Sequence, residues 1–208
     1  MTMGLLEAGL DVTSVDASPE FLSHLTQRIA TSLPGCSARV ELGDLHHLRF
    51  QDQSFDAVVC GEVLEHLDDD TAALREFTRV LVPGGLVVVS VPANPWRFDW
   101  VDAWAGHRRR YTLGDLEARM RDAGLVDIAV TPWGFPFTGL YHRHVYRPLL
   151  RRRLARGAAP PSVGGRSGRV AARALRGLFE IDTVFRGRVP GWFGLIASAR
   201  RPSETDMR

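Results

Sequence analysis

These 208 residues contain no lysine; all 26 basic side chains are arginine. Arginine suits phosphate and carboxylate forks, yet a chain-wide absence of lysine reflects genomic base composition rather than a binding site. Cysteine is nearly absent too. Cys36 and Cys60 cannot build a disulfide framework, which points to a reducing cytoplasm. No apolar run approaches the ~18 residues of a membrane span, and no internal repeat is visible. What is present is 45% hydrophobic residues, enough for one domain with a sizeable core. The net charge of +2 conceals an asymmetry. Residues 138–190 carry 12 arginines against Glu180 and Asp182, a balance of +10, while the remainder stands at −8. A basic segment is mounted on an acidic body.

Short strands and helices alternate along the chain. Leu5, Leu6 and Ala8 before Gly9 read as a last helical turn with its glycine cap. Asp11–Asp16 alternates as a strand, Phe21, Leu22, Leu25 and Ile29 recur at helical spacing, and Ala38–Leu42 is another short strand. Ala57–Cys60 is an apolar run ending at Gly61, as a buried parallel strand does. A helix capped within Asp68–Asp70 carries Leu74, Phe77 and Leu81 inward; Pro83-Gly84-Gly85 stops it before the strand Leu86–Val91. Thr112 with Asp115 is a capping-box pattern, and strands follow near Val126–Val130 and over Trp192–Ala199. The pattern predicts an α/β fold with a Rossmann-like, doubly wound, mostly parallel sheet. Ligands of such sheets lie at the strands' carboxyl ends, and there Glu62, Glu65 and His66 crowd behind Gly61.

Five pieces in order carry a family resemblance: Val15-Asp-Ala-Ser-Pro19, Gly43-Asp-Leu45, Glu62-Val-Leu-Glu-His66, Val82-Pro-Gly-Gly85 and Gly106-His-Arg-Arg-Arg-Tyr-Thr112. They resemble the class I S-adenosylmethionine-dependent methyltransferases of the type 11/23 group, with a likeness to the O-methyltransferases of quinone biosynthesis. The resemblance implies S-adenosylmethionine as methyl donor and an antiparallel last strand. It implies cofactor contacts at Asp16 and Ala17 for the ribose, at Asp44 and Leu45 for the adenine, and at Cys60, Gly61 and Glu62 beside them. An acid at a strand end accepts from both ribose hydroxyls, which is the physical logic for Asp16. Cys60 reads equally as a small buried core residue.

On one helical turn Glu62, Glu65 and His66 share a face and can converge on an ion. Carboxylates suit Mg²⁺, and an imidazole shifts the preference toward softer metals. The pattern resembles the metal site of quinone O-methyltransferases and of small-RNA 2′-O-methyltransferases, which implies His107 as a further ligand; alternatively His66 packs or caps a turn. His107 is also the candidate catalytic base. Arg108 to Arg110 read either as a steering patch for an anionic acceptor or as an exposed charge run. Trp96, Phe98, Trp100 and Trp104 suit an apolar acceptor pocket or simple core packing.

The expected organisation is a methyltransferase core over 1–137, a basic amphipathic helical insertion over 138–190, and the last core strand with a tail over 191–208. In the insertion Tyr141, Val145, Leu149 and Leu150 share one helical side, with a kink at Pro148, and Val170–Phe179 repeats the design beyond the Gly/Pro/Ser-rich stretch 157–168. Such helices suit an anionic membrane surface, a nucleic-acid backbone, or a lid over the acidic body. The family's glycine-rich loop and first central strand would precede Asp16 by ~20 residues, and no such loop is present. The core therefore reads as N-terminally truncated, with two open strand edges and weak cofactor affinity. The expected function is methyl transfer to a hydroxyl of a small or lipid-like acceptor. The alternatives are a noncatalytic remnant or adaptor that binds through the basic arm and, more distantly, a nicotinamide oxidoreductase.

Overall fold

The structure, a computed structural model, describes residues 1–36, 38–134, 137–157 and 192–206. The chain opens with helix α1 (Thr2–Glu7), strand β1 (Thr13–Asp16), helix α2 (Pro19–Ser32) and strand β2 (Arg39–Leu42). Helix α2 starts where it does because the Ser18 side chain accepts from the Phe21 amide and Pro19 fills the first turn, where no donor is needed. Its inward residues Leu25 and Ile29 pack with Leu6 and Val12 into a small core, and β1 and β2 pair in parallel.

A larger unit follows, from strand β3 (Phe55–Gly61), helix α3 (Asp70–Val80) and strand β4 (Leu81–Pro92) to helices α4 (Trp100–Ala105) and α5 (Leu113–Asp122). Strand β5 (Val126–Trp133), helices α6 (Phe137–Tyr141) and α7 (Arg147–Leu154) and strand β6 (Gly194–Arg200) complete it. The sheet order is β3-β4-β6-β5, with β3 parallel to β4 and β6 antiparallel to both neighbours. Val87, Val89 and Val91 alternate into the core with Leu195, Ala197 and Ala199, and meet Leu74 and Phe77 of α3 and Leu116 and Met120 of α5. Each such valine, leucine, methionine or phenylalanine contributes about 1.5–3 kcal/mol when fully buried. Among the described residues, no strand pairs with the second edge of β1 or of β3. Helix α1 bridges them. Thr2 Oγ1 lies 3.0 Å from Ser14 Oγ, and Met1 Sδ lies 3.7 Å from where a Cβ on Gly61 would stand.

Two local readings are revised. The Pro-Gly-Gly run does not stop α3, which ends at Val80. It forms an outward bulge inside β4, between the Phe55–Leu81 and Ala57–Leu86 pairs. A Cβ on Gly85 would sit 2.9 Å from the Val82 carbonyl, so the bulge needs glycine there. The kink expected at Pro148 appears one turn earlier, as a π-helical turn over His142–Tyr146. Proline lacks an N–H and its ring crowds the carbonyl four residues back, so the backbone widens upstream. Leu150 is buried while Val145 and Leu149 are exposed, so the expected apolar side is only partly covered. The stretch 158–168 and the second amphipathic pattern, Val170–Phe179, lie outside the described residues.

Candidate active site

The carboxyl end of β3 turns sharply. Glu62 takes a left-handed backbone conformation (φ 55°), its amide donates to the Ser90 carbonyl at 2.9 Å, and Leu64–His66 closes as a single 3₁₀ turn. A non-glycine residue in that conformation stores strain, which concentrates at functional sites. The tighter turn separates residues that an α-helical turn would have aligned. Glu62 Oε1 accepts from Ser90 Oγ at 2.8 Å, whereas Glu65 points inward and is 0% exposed.

The loop 106–112 supplies the opposite wall, laced to the β3 loop by its arginines. The Arg108 amide and Nε donate to the carbonyls of Glu65 and His66, and Arg109 Nη2 donates to those of Leu67 and Asp68. Arg109 and Arg119 also pair with the buried Asp70, which accepts from the Tyr111 hydroxyl at 2.7 Å. Arg110 donates to Asp102 and to the Ala93 carbonyl. The three arginines are therefore neither a steering patch nor a loose charge run; they brace the site. Breaking a buried charge pair of this kind costs about 3–5 kcal/mol.

Bracing brings His66 and His107 together, with rings 4.8 Å apart and edge to face. His66 Nδ1 lies 3.2 Å from the Gly106 carbonyl, and His107 Nδ1 lies 2.9 Å from Asp102 Oδ1. Their Nε2 atoms face Glu65 Oε1 at 3.9 and 4.0 Å. Among the described residues neither carboxylate oxygen of Glu65 has a hydrogen-bond partner, and burial, reinforced by the charges of Glu62 and Asp102, pushes its carboxyl up to about 8. Glu62 is exposed, yet desolvation by the surrounding protein raises its carboxyl above the ordinary range despite the Ser90 bond. Burial also lowers His66, with the neighbouring His107 ring adding to the effect. Buried polar atoms are ordinarily partnered, so the unpartnered Glu65 needs an explanation. Glu65, His66 and His107 each offer one ligand atom, all within 4.8 Å of one another. That donor set fits a divalent cation. Glu62, expected as a fourth ligand, is turned to Ser90 instead. Two imidazoles and one carboxylate suit Zn²⁺, Mn²⁺ or Fe²⁺ better than Mg²⁺.

The other expected residues are placed individually. Asp16 ends β1 half-buried; its Oδ1 accepts from the Ser18 amide at 2.8 Å, and Ala17 beside it is exposed. Asp44 is exposed, and its Oδ1 accepts from the His46 amide and ring, which hold the carboxyl below the ordinary range. Leu45 packs against the main core. Cys60 is buried, and burial with the nearby Glu65 and Glu62 charges pushes its thiol up to about 12, leaving it a neutral packing residue. A Cβ on Gly61 would meet Ser90 Oγ at 3.3 Å. Trp96 (74% exposed), Phe98 and Trp104 are exposed rather than core, while Trp100 lies beneath the Arg147 and Arg151 guanidiniums. Sequence reading missed Asp102, 1% exposed, and the buried Asn94. The available signal for Asp102 was the Asp99-x-x-Asp102 capping box that opens α4.

Fold and site together define a Rossmann-like α/β protein whose reactive groups gather at the carboxyl end of a parallel strand. Residues 1–89 match the family described as "Methyltransferase domain". Malonyl-[acyl-carrier protein] O-methyltransferase of Halorhodospira halophila is 28% identical, over 94% of this chain and 68% of that protein. The 2-methyl-6-phytyl-1,4-hydroquinone methyltransferase of a Synechocystis species is 27% identical, over 69% of this chain and 48% of that protein. Phosphoethanolamine N-methyltransferase 2 of Haemonchus contortus, solved with S-adenosyl-L-methionine, superimposes with a TM-score of 0.62. It is 18% identical, over 97% of this chain and 46% of that one, and so shows the fold alone. Over residues 1–89 the chain is similar to methyltransferase domains in sequence, and it shares the Rossmann-like fold of S-adenosylmethionine-dependent methyltransferases. It spans about half or less of the length of several curated relatives that it matches.

Proposed function

We propose that this protein transfers a methyl group from S-adenosylmethionine to a hydroxyl of a small or lipid-like acceptor. The observation that supports this is the Glu65–His66–His107 constellation at the carboxyl end of β3. The sulfonium brings an activated methyl carbon, so the protein needs only to align the partners and remove the acceptor's proton. Asp16 addresses the ribose hydroxyls, Asp44 and Leu45 the adenine, and Gly61 and Glu62 the body of the donor. His107, whose Nε2 faces Glu65, takes the proton.

A divalent ion held by Glu65, His66 and His107 is the finer reading, and the unpartnered Glu65 carboxylate favours it. Such an ion supplies acidification of a nearby hydroxyl. The relatives named for a malonyl carrier protein and a phytyl hydroquinone are compatible with a lipid-like acceptor. No helix among the described residues is long and apolar enough to cross a membrane. The +10 segment over 138–190 supports peripheral association with an anionic surface instead.

Calorimetry of the whole protein with S-adenosylmethionine, paired with label transfer into lipid, quinol, sugar and RNA extracts, tests the reading. Asp16→Ala should weaken donor binding by at least about tenfold, the equivalent of a charged hydrogen bond of about 1.5–3 kcal/mol. Partner association without donor affinity would replace the enzyme reading with the adaptor one.

A further inference from the structure

A histidine opposite an unpartnered carboxylate is useful only if the correct ring nitrogen faces it. Neutral imidazole carries its proton on Nδ1 or Nε2, and the partner of one nitrogen decides the state of the other. We propose that Asp102 is the positioning residue of this centre: its carboxylate holds the proton of His107 on Nδ1 and so presents a bare Nε2 to the space before Glu65. The proposal rests on reading the Glu65–His66–His107 constellation as the reactive centre, but the tautomer is measurable without that reading.

The neighbours of Asp102 leave it no other role toward His107. Oδ1 accepts from Arg110 Nε at 2.8 Å as well as from His107 Nδ1 at 2.9 Å. Oδ2 accepts from the Asp99 amide at 2.9 Å. Guanidinium and backbone amide are obligate donors, so each oxygen of residue 102 must accept. With both oxygens committed to accepting from obligate donors, the carboxylate can only accept from His107 as well, and the Nδ1 proton of His107 follows. A carbonyl can likewise only accept, so Gly106, one residue before His107, fixes His66 the same way. Two bare Nε2 atoms then face the Glu65 carboxyl, whose proton a bound cation would displace. That arrangement attracts a cation or an acidic hydroxyl.

Long-range ¹H–¹⁵N correlation spectra of the labelled protein, with His107→Gln to assign the ring, read the tautomer directly. The expected result is Nδ1–H in the unaltered protein and Nε2–H in Asp102→Ala, which removes the acceptor outright. An Nε2–H ring in the unaltered protein overturns the proposal even if the variant fails to fold. So does an unchanged tautomer in folded Asp102→Ala. Zn²⁺ titration by calorimetry is the second arm. Asp102→Ala should weaken Zn²⁺ binding by about 10–100-fold, the usual consequence of losing a ligand's orienting partner. An Nδ1–H ring that switches in the variant, in a protein that takes up no Zn²⁺, upholds the role of Asp102 and removes the ion from the proposed function.

Discussion

Glu65 has no exposed surface and, among the described residues, no hydrogen-bond partner, an arrangement that costs stability rather than adding it. An uncompensated buried acceptor is worth about 1–3 kcal/mol of penalty. Glu65→Gln keeps the shape and removes the repulsion from Glu62 and Asp102. We therefore expect the variant to melt higher, by about 1 kcal/mol of stability at neutral pH, while donor-dependent methyl transfer falls at least about a hundredfold. Thermal denaturation alongside label transfer reads both. A variant that melts several degrees lower would show that the carboxylate contributes to the fold rather than to the site.

At the scale of elements, α3 is tied to the segment after β2 by one residue pair. Arg79 donates to the carbonyls of Leu48 and Phe50 and to Asp52, and Glu76 accepts from Arg79 and from the Leu48 amide. These bonds hold the Glu76 carboxyl below its reference value of 4.5. A depressed carboxylate contributes stability that is fully present above its unfolded pKa and is lost as pH falls through the folded one. Glu76→Gln should therefore be less stable than the unaltered protein at pH 7, by about 1 kcal/mol. The difference should shrink below about pH 4.5. Urea denaturation at stepped pH checks this; a gap constant down to pH 3 would contradict the linkage.

For the molecule as a whole, charge and apolar exposure coincide. Helix α7 carries Arg147, Arg151, Arg152 and Arg153, and its first two arginines lie over Trp100, in the same stretch of sequence as the exposed Trp96, Phe98 and Trp104. With the +10 balance of residues 138–190, this face should adsorb to anionic vesicles and release with salt. Cosedimentation with phosphatidylglycerol vesicles should exceed that with phosphatidylcholine several-fold, and Arg151→Glu with Arg152→Glu should abolish the difference. Equal recovery in the supernatant with both lipids would sink the idea, and salt-sensitive preference for RNA would turn it toward nucleic acid.

The order of strands and helices was legible because it depends on period and punctuation. Leu22, Leu25 and Ile29 state a helix, Val87, Val89 and Val91 a strand, and Ser18, Asp69 and Thr112 the helix starts. The five ordered motifs likewise carry the resemblance to methyltransferases in the sequence itself. What the sequence could not decide was direction and partnership, which depend on side chains brought together from far along the chain. Local spacing put Glu62 with Glu65 and His66, but the strained turn at Glu62 sends it to Ser90, 28 residues away. Arg108, Arg109 and Arg110 look alike as a run, yet each is consumed by a different partner on the opposing loop or on Asp102. Composition and periodicity determined the class of fold, since burying an apolar face requires only the right residue at the right interval. The candidate centre depends on tertiary structure, because hydrogen bonds are directional and only the folded chain shows which donor reaches Asp102 and that, among the described residues, none reaches Glu65.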